Sequence, residues 1–287
     1  MMRARSGWRE AARKAAALLP YLAAVAAVFI ALAPVYWLLT ISLKREVDQF
    51  AYPPQWIGFT ATLEHYRDAF AGGSFAAYFE NSVLLAAIST IAALAIGVPA
   101  AYGLARFEWP RQWDHRIADW ILSTRMLPPI VTIVPLFLML RQARLLNSLI
   151  GLAIVYTGFN LPFVVWMMRG FFEEVPKEIE EAAMLDGESR SGALLRIVLP
   201  LVRPGLAATA VFCLVVAWNE FLFALILTQT EAAMTLPVGI ASRVTQYEIK
   251  WGAMSAAGVV AMIPVLVFAA AAQKYLVRGL SLGAVKG

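Results

Sequence analysis

The chain has 287 residues, 61% hydrophobic and only 15% charged, with a mean hydropathy of +0.68 and a net charge of +5. Ordinary soluble domains are about 45–50% apolar and about 25% charged, so a soluble enzyme and a disordered chain are both excluded. One cysteine (Cys213) and two histidines (His65, His115) exclude a disulfide scaffold and argue against a structural zinc site.

The first element is an apolar run from Leu18 to Ile41 without a charged residue, preceded by Arg3, Arg5, Arg9, Arg13 and Lys14. A spanning helix needs roughly 20 apolar residues. The run is too long for a signal-peptide core, and no clean small-x-small cleavage site follows it, so it reads as a retained span. The second span is Ser82 to Ala105, with Ala86, Ala87, Ser89, Ala92, Ala93 and Gly97 along it. Small residues of this kind allow close helix packing.

Trp120 to Leu140 forms a weaker third span, with Arg125 near its start and Pro128, Pro129 and Pro135 within it. Three prolines this close predict a bent helix facing protein or a water-filled path. Leu145 to Met168 is the fourth span, Gly205 to Thr230 the fifth and Gly252 to Gln273 the sixth. The fold class is therefore an all-α polytopic membrane protein with six transmembrane helices and both termini on one side.

Cytoplasmic loops of membrane proteins carry an excess of Lys and Arg, so the distribution of these residues sets the orientation. With the N-terminus cytoplasmic, sixteen of the 24 basic residues fall on that side and seven on the other. The organisation is then a cytoplasmic segment 1–17, a membrane domain 18–276 with an external loop 42–81, a cytoplasmic loop 169–204, and a cytoplasmic tail 277–287. The basic residues are dispersed and lack interleaved aromatics, so no nucleic-acid partner is expected.

Glu220 is the one acidic residue well inside a span, in Trp218-Asn219-Glu220-Phe221. Such a group faces a pathway or makes a structural polar contact, and the residues leave both open. Asn160 offers an amide in the fourth span, and Tyr156 and Trp218 offer rings for stacking, though span aromatics also serve as packing and interface anchors. No second intramembrane carboxylate or histidine accompanies Glu220, which argues against a proton relay. His65 and His115 fall in different loops and read as ordinary solvated residues.

The loop after the fourth span differs from everything around it. Pro176 suits a first helical position, Glu178, Glu180 and Glu181 complement the positive helix end, and Gly187 terminates the helix. Val175, Ile179, Ala182, Ala183 and Met184 form an apolar stripe. A second segment, capped by Ser189 or Ser191, runs to Pro200 and is ended by it. The acidic first half fits poorly with a helix lying on the membrane surface, so the stripe needs the chain's own body or another protein.

Glu181-Ala182-Ala183, Gly187 and Ile197-Val198-Leu199-Pro200 match the spacing of the EAA loop of ABC importer permeases. Asp186, Pro204, the Trp218–Phe221 stretch and the ending Val277-Arg278-Gly279-Leu280 … Gly283-Ala284-Val285-Lys286-Gly287 resemble the carbohydrate-uptake branch, in particular the smaller permease of maltose-type importers. The resemblance implies a type I ABC importer permease in the bacterial inner membrane. Its loop would be a coupling helix in which Glu181, Ala182, Ala183, Met184, Asp186 and Gly187 meet a cytoplasmic ATPase dimer. Gly283, Ala284, Val285 and Lys286 would touch that ATPase, which would hold the ATP and Mg; no cofactor is expected in this chain.

A second homologous permease, a periplasmic or lipid-anchored solute-binding protein, surrounding membrane lipid and a small sugar or polyol would complete the system. Trp218, Asn219, Glu220, Asn160 and Tyr156 are the candidate solute path. None of the six lysines is followed by Ser or Thr, so the chain lacks a Walker A motif and is not expected to be an enzyme. Alternatives are a permease for another solute, such as a glycerol phosphodiester, and, from a different class, an ion-driven carrier. The carrier would carry an inverted repeat and intramembrane ion ligands, and neither is seen beyond Glu220.

Overall fold

The computed structural model describes residues 2–71, 73–243 and 249–283. Among these, helices dominate: α1 (Met2–Leu43), α2 (Ser74–Arg106), α3 (Trp113–Thr124), α4 (Pro129–Gln142), α5 (Leu149–Glu174), α6 (Lys177–Leu185), α7 (Arg190–Leu201), α8 (Arg203–Trp218), α9 (Leu222–Leu227), α10 (Leu236–Ala241) and α11 (Trp251–Gly283). Four described helices are long and apolar enough to cross a membrane, and six spans result if each of two bent pairs counts as one.

The third span is one of those pairs. Trp120–Leu140 is not a single helix: α3 and α4 meet at 88° across residues 125–128. Pro128 and Pro129 are the cause, because each proline disfavours helical dihedrals in the residue before it. Pro128 sits at ψ 131°, and Pro129 opens α4. The fifth span is also interrupted, since α8 ends at Trp218 and α9 begins only at Leu222. Pro200 does not stop the loop's second helix, which continues to Leu201. A wide-turn stretch at Leu194–Val198 precedes it and makes room for a residue that cannot donate a backbone bond. The 81° bend then falls at Val202, between α7 and α8.

The chain divides into two compact units. In the first (Met1–Ala71 with Arg243–Val260), α1 presents an apolar surface from Leu18 onward, as a lipid-facing helix does. Its end turns into a short pairing of Lys44 with Ala61. His65 is buried there and donates through Nε2 to the Lys44 carbonyl at 2.7 Å, while Gly252 leaves room for its ring. This corrects the expectation of a solvated His65: the imidazole is a packing and hydrogen-bonding group. His115 does keep a mostly exposed side chain.

In the second unit (Gly72–Ser242 with Ala261–Gly287), α2 and α5 form the central pair. Ala86, Ser89, Ala93 and Gly97 line the buried face of α2, and Ala87 and Ala92 lie at its margins. A Cβ on Gly97 would stand 2.6 Å from Val164 Cγ1, so only glycine permits this approach. Around the pair lies one cluster that includes Tyr102, Met168, Phe172, Val198 and Cys213, and a second that includes Leu85, Tyr156, Ala217 and Phe223.

Candidate functional site

The loop between α5 and α8 is built on the end of α2. Phe172, fully buried, meets the Tyr102 ring edge-on with centroids 5.6 Å apart. The chain leaves α5 at Val175, whose carbonyl accepts from Arg106 Nη2 at 2.8 Å. Pro176 takes the N-cap position, one residue before the first helical residue of α6. Glu180 then turns inward: its Oε2 accepts from Tyr102 Oη at 2.7 Å and its Oε1 pairs with Arg106 Nε. Both partners of that ion pair are almost completely buried, with side chains 5% and 6% exposed.

Glu180 and Ala183, three residues apart, therefore form the inner face of α6. Met184 is half-buried, while Ile179, Glu181, Ala182 and Asp186 are exposed and Leu185 is 89% exposed. The apolar stripe read from the sequence is thus split, with Ala183 inside and Ile179 and Ala182 outside. Gly187 ends the helix at φ +93°. Its N–H donates to Met184 O at 3.1 Å, and that of Glu188 to Ala183 O at 3.0 Å, the paired bonds of a left-handed helix stop.

Ser189 caps α7 by accepting from Gly192 N at 3.1 Å. Glu188 accepts from Arg196 Nη1 at 2.6 Å, and Arg190 lies 5.0 Å from the Phe107 ring. Ala193, Leu194 and Val198 anchor the second half of the loop in the core. Nearby, Arg169 of α5 bonds Glu173 at 2.7 Å, His115 Nδ1 at 2.8 Å and Asp114 at 3.4 Å, beside a cleft of about 410 Å³. This end of the molecule carries three sets of ion pairs and one exposed helix face whose opposite side is held by the buried Arg106–Glu180 pair.

The expected solute-path residues separate into two groups. Tyr156 donates to Glu220 Oε2 at 2.6 Å, and both, with Asn160, line a void of about 10 Å³. Glu220 also accepts from the backbone N–H groups of Phe223 (2.8 Å) and Ala224 (3.1 Å). Its two oxygens thereby cap α9 and carry the chain across the break in the fifth span. Asn160 is 1% exposed and donates to the Cys213 carbonyl at 3.4 Å, while its Oδ1 has no partner.

Trp218 and Asn219 instead line a cleft of about 330 Å³ with Leu236, Ile240 and Met262. Trp218 is buried and donates to Ala261 O at 3.2 Å, whereas Asn219 is exposed and bonds Val215 O at 2.8 Å. Gly283 is the last described helical residue; Ala284, Val285 and Lys286 lie outside the described residues.

Sequence reasoning missed Tyr102, Arg106 and the inward role of Glu180. The available signal was the three-residue spacing of Glu180 and Ala183 together with a basic residue ending the second span. Among the described residues no three His, Cys, Asp or Glu side chains gather as a metal site requires.

Residues 69–282 match the family described as binding-protein-dependent transport system inner membrane component. The sulfoquinovosyl glycerol transport system permease protein SmoH of Agrobacterium fabrum is 37% identical over 254 residues, 88% of each chain. The trehalose/maltose transport system permease protein MalG of Thermococcus litoralis is 34% identical over 273 residues, covering 94% of this chain and 97% of its own. The fold is similar to that of a bacterial ABC transporter involved in import of the acidic polysaccharide alginate, with a TM-score of 0.76 and 22% identity over 90% of this chain and 95% of the other.

Proposed function

The chain belongs to the family of binding-protein-dependent transport system inner membrane components, and from that membership we propose that it is a permease subunit of an ATP-driven importer for a sugar or polyol. One observation carries the mechanical part: α6 has its inner face fixed by Glu180 and Ala183 and its outer face bare at Glu181, Ala182 and Leu185. A helix so mounted can pass movement of a partner to the end of α2 through Glu180, Tyr102 and Arg106. The occupant of that face is a cytoplasmic ATPase dimer, which holds ATP and Mg and closes on binding them. The small Ala182 admits close approach, and Gly187 turns the chain away from the contact.

In this reading the loop 169–204 and both termini are cytoplasmic, in keeping with the distribution of Lys and Arg. Gly283, Ala284, Val285 and Lys286 reach the same ATPase. A second permease completes the pathway, and a solute-binding protein delivers the cargo from outside. The sugar class rests on relatives that serve sulfoquinovosyl glycerol and trehalose or maltose. This chain performs no hydrolysis itself. The test is uptake in proteoliposomes that contain this chain, its second permease and the ATPase, with the binding protein inside or outside. ATP-driven uptake that requires the ATPase supports the proposal. Uptake driven by an ion gradient without any ATPase overturns it.

A further inference from the structure

Arg125 lies in the break between α3 and α4, inside the third span. Its guanidinium carbon stands 5.4 Å from the Phe159 ring, 5.3 Å from Phe163 and 5.8 Å from Phe212. Phe163 and Phe212 are themselves stacked at 3.9 Å. Three aromatic faces from α5 and α8 thus accommodate the positive charge. They do nothing for its five directional N–H donors. Among the described residues no carboxylate forms an ion pair with Arg125, and its buried Nη1 has no acceptor.

The break is open on one flank, since Met126 is 83% exposed and Phe212 is 43% exposed. A cation at membrane depth faces a protein partner or a water-filled path rather than lipid. A planar donor fork whose buried Nη1 has no acceptor among the described residues matches an oxyanion held through parallel bonds. We propose that Arg125 is a specificity-determining residue that receives an anionic substituent, a carboxylate or sulfonate, on the transported sugar. The assignment rests on the permease reading above and narrows it from sugars in general to acidic ones. The uncharged rings around the guanidinium keep it free of a competing internal counter-ion.

The test uses the reconstituted complex with two probes, a uronic-acid disaccharide and the neutral disaccharide of the same linkage. Wild type is expected to take up the acidic probe in preference. Arg125→Met is expected to lower acidic uptake about 10- to 100-fold, and Arg125→Lys to restore part of it. Equal loss of both probes in Arg125→Met, or unchanged acidic uptake, overturns the assignment. ATP-driven uptake of the neutral probe alone by wild type also overturns it, while leaving the importer reading in place. Uptake of neither probe, with no stimulation of the ATPase by either, counts against both.

Discussion

The Arg106 guanidinium and the Glu180 carboxylate form a buried ion pair that joins the end of α2 to the centre of α6. Tyr102 completes the joint by donating to the second Glu180 oxygen at 2.7 Å. Breaking a buried pair by removing one partner costs about 3–5 kcal/mol. Glu180→Ala is therefore expected to lower the melting temperature of the purified protein, and to uncouple hydrolysis from uptake in the complex. The double variant Arg106→Met with Glu180→Met should be more stable than either single variant, because no charge is then left alone. Thermal unfolding of Arg106→Met, Glu180→Met and the double variant checks the order.

Gly187 and Gly170 make a second comparison. Gly187 holds φ +93° at the stop of α6, whereas Gly170 lies within α5 with open space at its Cβ position. Gly187→Ala should destabilise by about 1 kcal/mol, and Gly170→Ala should be neutral or stabilising by a similar amount. A loss of stability in Gly187→Ala without one in Gly170→Ala is expected in paired melting curves; equal losses would contradict the helix-stop assignment.

Glu220 is bound by Tyr156 and by two backbone N–H groups of α9. Glu220→Ala should cost about 2 kcal/mol, combining a lost cap with a tyrosine hydroxyl left unpaired. Glu220→Gln keeps an acceptor oxygen and should retain much of that stability. A structural carboxylate shows its loss in thermal stability, with the KM for solute unchanged in the surviving protein. A KM effect without a stability effect would instead place Glu220 in the solute path.

Lys44 is buried with its Nζ unpaired, 4.4 Å from the Trp37 ring centroid and 5.2 Å from that of Phe59. Burial pushes its pKa below the ordinary 10.5, with the Asp48 carboxylate partly opposing. The folded protein then binds fewer protons than the unfolded chain between the lowered pKa and 10.5. Stability should rise as pH increases through that window and level off above it. Lys44→Met should remove this slope, which melting curves over a pH series would show.

Most of the spans were legible because twenty-residue apolar runs have few other uses. The bend in the third span was legible too, since Pro128 and Pro129 are adjacent and act locally. The interruption at Asn219–Phe221 was not, because it depends on Glu220 turning back to cap α9. The inward Glu180 was hidden for a related reason. An acid near a helix start satisfies the helix dipole equally well whether it faces water or an arginine, and Arg106 is distant in sequence. The burial of His65 was hidden because its ring meets the Lys44 carbonyl and the Gln49 side chain, contacts that no residue pattern announces.

The central claim is that the bare face of α6 receives a separate ATPase and drives this chain through its Glu180 mount. The most direct measurement is ATP-driven uptake by the reconstituted complex carrying Glu181→Lys or Ala182→Trp, beside wild type. Both positions are exposed, so each variant is expected to fold and insert normally. Uptake is predicted to fall to background while the permease remains in the membrane. Uptake at the wild-type rate in both variants would contradict the account.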